Sequence, residues 1–150
     1  MKNFSFRPFA CLLVFLMLGL AARASDAQWL DNYDKAVSMA KEQHHNILMN
    51  FTGSDWCPYC IQMDKEVLNQ PQFEDYAKKN LVLLTVDFPQ SKQLPQKLQD
   101  QNNMLQQRYS IEGFPTFLLI DPSGKVLQQY VGYLPGGPAA FIAMLQGQKS

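Results

Sequence analysis

The sequence predicts an α/β fold with a mixed central sheet flanked by helices. Three observations carry that prediction. Short apolar runs of strand length, at 47–51, 81–87 and 117–120, alternate with longer segments of helical period, as strand-then-helix crossovers require. The turn Asp121-Pro122-Ser123-Gly124 joins the last two runs into a hairpin, which gives the sheet an antiparallel part. Cys57-Pro58-Tyr59-Cys60 stands where the first long apolar run hands over to a helix-like one.

From the amino-terminal side, Trp29, Leu30, Tyr33, Ala36, Val37 and Ala40 recur at helical spacing, with Asp26 near the start and Lys41 near the end. This spacing predicts a helix over about 28–43, with Trp29 and Tyr33 as a packing stripe. Adjacent His44 and His45 cannot share one face of a helix or a strand, so they read as loop residues and not as paired ligands. Residues 47–51 form a buried strand whose one polar member, Asn50, needs a hydrogen-bond partner. After the thiol pair, Ile61, Met63, Val67 and Leu68 continue at near-helical spacing until Asn69-Gln70-Pro71, and 72–79 adds a further helical turn or two. The next strand, 81–87, ends before Pro89.

Residues 90–107 have the Gln, Asn and Lys content of a linker, yet Leu94, Leu98, Leu105 and Tyr109 keep helical spacing. With Pro95 at an early helical position and Asn102-Asn103 as an interruption, they predict one or two solvent-facing helices, a helical insertion before the strand that Pro115 precedes. Strands at 117–120 and 126–133 follow, then a last helix from Gly136-Gly137-Pro138 to near Leu145. No internal repeat is visible.

The length of 150 residues, with 47% hydrophobic and 17% charged side chains, fits one globular domain with its own core. Lys2 and Arg7 precede an apolar run over 9–22, closed by Ala22-Arg23-Ala24 before Ser25. This is the pattern of a secretory signal peptide, and the run falls short of the roughly 20 residues that a spanning helix needs. The organisation expected is a signal peptide over 1–24 and a domain over 25–150, placed in the periplasm or otherwise exported after cleavage near Ala24. Cleavage after Ala27 also satisfies the small-residue rule. Removal of 1–24 leaves 10 basic side chains against 13 acidic ones, a formal charge of −3, which speaks against a nucleic-acid partner. It also removes Cys11 and leaves Cys57 and Cys60 as the cysteines of the mature chain.

An exported chain that spends its two cysteines on one C-x-x-C uses them for chemistry or for metal. A structural zinc site needs four ligands, and neither a second thiol pair nor a spaced histidine pair accompanies this one. Haem attachment needs histidine after the second cysteine, where Ile61 stands. No metal and no cofactor are expected. A thiolate at a helix start sits against unpaired N–H groups and the positive end of the macrodipole, so Cys57 is the expected nucleophile. Cys60, one turn inward, is placed to close a ring with Cys57 and to resolve a mixed disulfide.

W-C-P-Y-C at a strand end, Gly113-Phe114-Pro115-Thr116 before a later strand, and Gly132 near the end of the last one together resemble the thioredoxin fold. The resemblance implies that Pro115 is cis and faces the Cys57–Cys60 redox pair. It also implies that Trp56, Phe114 and Pro115 bind substrate, with the Phe114 backbone offered to an extended chain. In finer detail, F-T-G-S-D-W-C-x-x-C over 51–60, V-D-F-P-Q over 86–90 and P-G-G over 135–137 resemble the exported thioredoxin-like oxidoreductases of the chlamydial DsbH type.

That family implies a thiol:disulfide oxidoreductase that reduces or exchanges protein disulfides. Disulfide- or thiol-containing proteins are its partners, a membrane redox donor feeds it, and it acts as a monomer. A thiol oxidase of the same fold is an alternative, as is a non-catalytic binding module whose cysteine pair is a redox clasp. Pro58-Tyr59 is the pair familiar from glutaredoxins, but Trp56, the extra amino-terminal helix and the signal peptide weigh against that reading. Asn50 stands where thioredoxins carry a buried aspartate that relays a proton for the inner cysteine. An amide cannot take a proton, which leaves water, Asp55 or Glu66 for that task. Mass spectrometry of the exported protein is expected to give an amino terminus at Ser25; an intact Met1 on a membrane-bound protein would show that 1–24 is an anchor.

Overall fold

The computed structural model describes residues 28–147. The expected signal segment 1–24, its cleavage positions, Cys11 and Asp26 lie outside the described residues. The chain runs β1 (Trp29–Leu30), α1 (Tyr33–Gln43), β2 (Asn46–Thr52), α2 (Pro58–Met63) with a π-helical continuation (Asp64–Leu68), α3 (Pro71–Asn80) and β3 (Leu81–Asp87). It then runs α4 (Gln96–Arg108), β4 (Thr116–Ile120), β5 (Val126–Val131) and α5 (Gly137–Leu145). The five strands form one sheet in the order β1-β3-β2-β4-β5. β1, β3 and β2 are parallel, while β4 pairs antiparallel with both β2 and β5. This is the mixed, helix-flanked α/β sheet that the sequence predicts.

β2 occupies the middle of the sheet and is hydrogen-bonded on both sides, from Asn46↔Leu81 to Thr52↔Asp87 with β3 and from Ile47↔Ile120 to Phe51↔Thr116 with β4. Strand side chains alternate between faces, so the two faces carry separate cores. On one face Ile47, Met49, Phe51, Leu84 and Leu118 pack with Ala36 and Ala40 of α1 and Leu105 of α4. On the other, Leu48, Leu83 and Phe117 pack with Met63, Val67, Phe73 and Phe141, contributed by α2, its continuation, α3 and α5. Phe141 anchors this second layer, with its ring edge-on to Phe117 at 4.9 Å and 5.7 Å from Phe73.

The structure corrects three local expectations. The first helix does not reach back to residue 28: Trp29 and Leu30 pair with Leu83 and Leu84 as β1. Asn32 then caps α1, its Oδ1 accepting from the Lys35 N–H at 2.8 Å. Helical spacing in the sequence is overridden here by two residues of ladder on an otherwise open strand edge.

Within the polar segment after Pro89, Gln96–Arg108 forms one uninterrupted helix that is not wholly solvent-facing. Asn102 is 2% exposed and its Nδ2 donates to the Asp87 carbonyl at 2.9 Å. Gln101 accepts from the Tyr33 N–H and donates to the Asp31 carbonyl, both at 2.9 Å. These amides tether α4 to the ends of β3 and β1, so its polar composition is partly structural. Lastly, β5 stops at Val131, because Gly132 turns to φ +95° and its N–H donates to the Pro115 carbonyl at 2.8 Å.

Removing a buried amide whose partner then stays unpaired costs roughly 1–3 kcal/mol. Asn102→Ala is therefore expected to lower stability in a urea titration by about that amount, whereas exposed Asn103→Ala stays within about 0.5 kcal/mol of the wild type. Equal effects at the two positions would remove the tether from the account.

Candidate active site

β2 ends at Thr52, a short loop follows, and Cys57 becomes the N-cap of α2 with extended backbone angles of φ −88° and ψ 109°. Its Sγ accepts from the Cys60 N–H at 3.2 Å. Pro58 follows at the first helical position, where its fixed φ suits the turn and its missing N–H removes no helical bond. Cys57 and Cys60 are joined as a disulfide with their Cα atoms 5.2 Å apart. Cys57 is 4% exposed and Cys60 1%, so both sulfurs are recessed. The rim around them is apolar and open to solvent, formed by Trp56, Tyr59 and Ile61.

Three loops meet at this end of the sheet, for a topological reason. Parallel β2 and β3 finish together, and antiparallel β4 begins beside them. The loop after β2 therefore lies next to Phe88 and next to Pro115, whose peptide bond with Phe114 is cis. Trp56 Nε1 donates to the Phe88 carbonyl at 2.8 Å. The Trp56 ring lies edge-on to Phe114 at 6.0 Å, and Phe114 stacks on Phe88 at 5.1 Å. A Cβ on Gly53 would collide with the Trp56 indole, so this fold-back of the tryptophan needs a glycine. The predicted site residues Cys57, Cys60, Trp56, Phe114 and Pro115 are thus brought together on one surface.

Carboxylates hold the loops in place. Asp55 accepts from the backbone N–H groups of Gln90 and Ser91, at 2.9 and 2.7 Å, and from the Ser91 hydroxyl. Those bonds, the Ser91 hydroxyl foremost, hold its carboxyl down to about 2 from an ordinary 3.8. Asp87 accepts from the Ser54 N–H at 3.0 Å and the Ser54 hydroxyl at 2.7 Å, and Lys92 stands 3.5 Å from it.

The two acids named from the sequence as substitutes for a buried aspartate are therefore engaged elsewhere. Asp55 is an exposed clasp, and exposed Glu66 accepts from the Tyr133 hydroxyl at 2.5 Å and from Gln62. Asn50 is buried beneath α2, and its Oδ1, like the Oγ1 of Thr52, meets no hydrogen-bond partner among the described residues. The acid that lines a cavity with both is Asp64. Its carboxyl is raised to about 6, first by burial and then by the charge of Asp87. Among the described residues no group of three or more His, Cys, Asp or Glu side chains converges to hold a metal ion.

Sequence reading alone does not single out Asp64, Asp87 or Phe88 as site residues. The available signals were slight: Asp64 falls four residues after Cys60, one turn along the same helix, and Asp87-Phe88 closes a strand whose neighbour ends in the thiol pair.

Comparison with known proteins fits this geometry. A family model described as a thioredoxin-like domain matches residues 33–149. The disulfide bond reductase DsbH of Chlamydia pneumoniae is 37% identical over 123 residues, which span 82% of this chain and 73% of that protein. The solved structure of a DsbH oxidoreductase superposes with a TM-score of 0.77 at 35% identity, covering 82% of this chain and 84% of the other. A thioredoxin from Thermus thermophilus shares the fold at 22% identity, with a TM-score of 0.63 over 82% of this chain and 87% of its own. The chain belongs to the thioredoxin-like family and is a homologue of the disulfide bond reductase DsbH.

Proposed function

We propose that this chain is an exported thiol:disulfide oxidoreductase that reduces, or exchanges, the disulfides of other proteins through Cys57 and Cys60. The observation that carries the reading is a disulfide-bonded C-x-x-C at a helix start, recessed in an apolar rim and beside the Phe114-Pro115 edge.

In the reduced protein the Cys57 thiolate is the nucleophile. It attacks one sulfur of a substrate disulfide, the substrate S–S bond breaks, and the departing sulfur leaves as a thiolate that takes up a proton. Cys60 then attacks Cys57 Sγ, which closes the Cys57–Cys60 disulfide and frees the second substrate thiol. Two electrons have passed from the protein to the substrate. Phe114 and Pro115 precede β4, so an extended substrate segment lies along their backbone while the Trp56 and Phe114 rings flank it.

The direction follows from what stabilises the thiolate. Cys57 has the Cys60 N–H and the helix start, but the nearest basic residue on its own helical segment is Lys65, two turns on. No basic side chain of that segment stands at the helix start to favour the thiolate further, which supports a reductant over an oxidant. The name of the DsbH relative, a disulfide bond reductase, supports the same direction. One dithiol without a bound cofactor stops after one turnover, so a membrane protein that supplies two electrons is the partner that resets it. The protein acts as an exported monomer, its segment 1–24 having been removed.

Turnover in an insulin-type reduction assay with added small thiol tests the class. The wild type is expected to cycle and Cys57→Ser to be inactive; a binding module would show no turnover in either form. Cys60→Ser is expected to accumulate mixed disulfides joined through Cys57. Alkylation at neutral pH that modifies Cys60 before Cys57 would reverse the two roles.

A further inference from the structure

The face of the sheet beneath α2 is apolar except at one corner. Leu48 on β2 and Leu81 and Leu83 on β3 belong to the second core, but the next positions of the same alternation are Asn50 and Thr52 on β2 and Thr85 and Asp87 on β3. These four are register partners, Asn50↔Thr85 and Thr52↔Asp87, so they share one face as a polar square at the end that carries the thiols. A cavity of about 220 Å³ opens against it, lined by Asn50, Thr52, Thr85 and Asp64 among others. Asn50 Oδ1 and Thr52 Oγ1 lie in this corner, buried and without a hydrogen-bond partner among the described residues. A polar cavity of that size with such groups in its wall accommodates water.

Asp64 reaches the cavity from above. It is four residues after Cys60, and its N–H donates to the Cys60 carbonyl. Helix side chains lean toward the amino terminus, so a side chain at i+4 lies over the turn of residue i. Asp64 is also where the helix widens, its carbonyl accepting from Asn69, five residues on, at 2.8 Å, a distortion often found at functional positions. Asp64 is half-buried and Cys60, one turn before it, is almost wholly buried.

We propose that Asp64 is the proton acceptor for Cys60, acting through water held in the Asn50–Thr52 corner, when the mixed disulfide is resolved. This rests on the exchange reading given above. In that step the Cys60 S–H proton passes to the Asp64 carboxylate, and the Cys60 sulfur attacks Cys57 Sγ. The Cys57–substrate bond breaks with its electron pair on the substrate sulfur, which is protonated in turn. Asp64 then returns its proton to solvent. An acid with an ordinary carboxylate affinity is a poor base for a thiol. Burial and the charge of Asp87 bring Asp64 to about 6, closer to the value a general base needs near neutrality. The charged groups around it are Asp87 from β3, with Lys92 beside that acid, and Lys65 and Glu66 on its own segment, Glu66 being bound to Tyr133. The cavity residues from β1 and β2, Trp29, Asn50 and Thr52, are uncharged.

The raised value also sets a stability signature. The unfolded chain ionises Asp64 near 3.8 and the folded one near 6, so the folded state is favoured below about 4 and loses that advantage as pH climbs through 6. Asp64→Asn removes the loss, and its thermal midpoint at pH 7 is expected to equal or exceed that of the wild type.

The test is stopped-flow release of the two thiols of an aromatic disulfide from the reduced protein between pH 5 and 9. Cys60→Ser isolates the first release and the wild type shows both. Asp64→Asn is expected to slow the second release on the order of 100-fold at pH 7, to leave the first within about twofold, and to lose an inflection near pH 6 that Asp64→Glu retains. An unchanged second release with its pH profile intact would overturn the assignment, as would an equal fall in both steps together with a lower thermal midpoint. A wild type that releases no second thiol would overturn the exchange reading itself, and that outcome is read without any Asp64 variant.

Discussion

The double pairing of β2 is the constraint from which the site follows. A strand bonded to a parallel neighbour on one side and an antiparallel neighbour on the other has no freedom to slide, because either slip would break two ladders at once. Its alternation is equally fixed: a shift of one residue would carry Phe51 out of the first core and push Asn50 and Thr52 in, a cost that pins the register. The end of β2 is thereby set to within a residue. The C-x-x-C follows that end after the short loop 53–56, so the sheet fixes where the loop that carries the sulfurs begins.

The same pairing brings the supports to the site. β3 ends where β2 ends, so Asp87 can hold Ser54, and the next residue, Phe88, can accept from Trp56 and stack on Phe114. β4 starts where both stop and delivers Phe114 and Pro115. The Asp55 clasp onto Gln90 and Ser91 closes the arrangement from the solvent side. Each bond is exposed or half-exposed and modest alone; together they order the rim before a substrate arrives. Such preorganisation matters in thiol exchange, where the attacking sulfur must approach along one line.

The parts of this site that the sequence discloses are those written in local chemistry. Strand-length apolar runs, the turn at Asp121 to Gly124, and two cysteines at a strand-to-helix junction each leave a mark within a few residues. The parts it hides depend on what lies across the fold. Trp29 and Leu30 carry the spacing of a helix, and only the vacant edge of β3 makes them a strand. Asn102 reads as solvent-facing until the Asp87 carbonyl is seen beneath it. Asp55 and Glu66 are near the thiols in sequence yet point to Ser91 and Tyr133. Asp64 is inconspicuous in a helix with Lys65 and Glu66 beside it, and its environment becomes unusual only when the polar corner of the sheet is set under it.

In that corner Asn50 stands where the resemblance to thioredoxins sets a strand acid. An acid placed on the helix sits at the mouth of the cavity, half in contact with solvent, while a strand acid at Asn50 would be nearly sealed. The function proposed above runs this dithiol toward the reduction of substrates, and the equilibrium of the Cys57–Cys60 pair with glutathione tests that claim most directly. The account predicts a reduction potential toward about −270 mV, and a value near about −120 mV would contradict it and mark the protein as an oxidant.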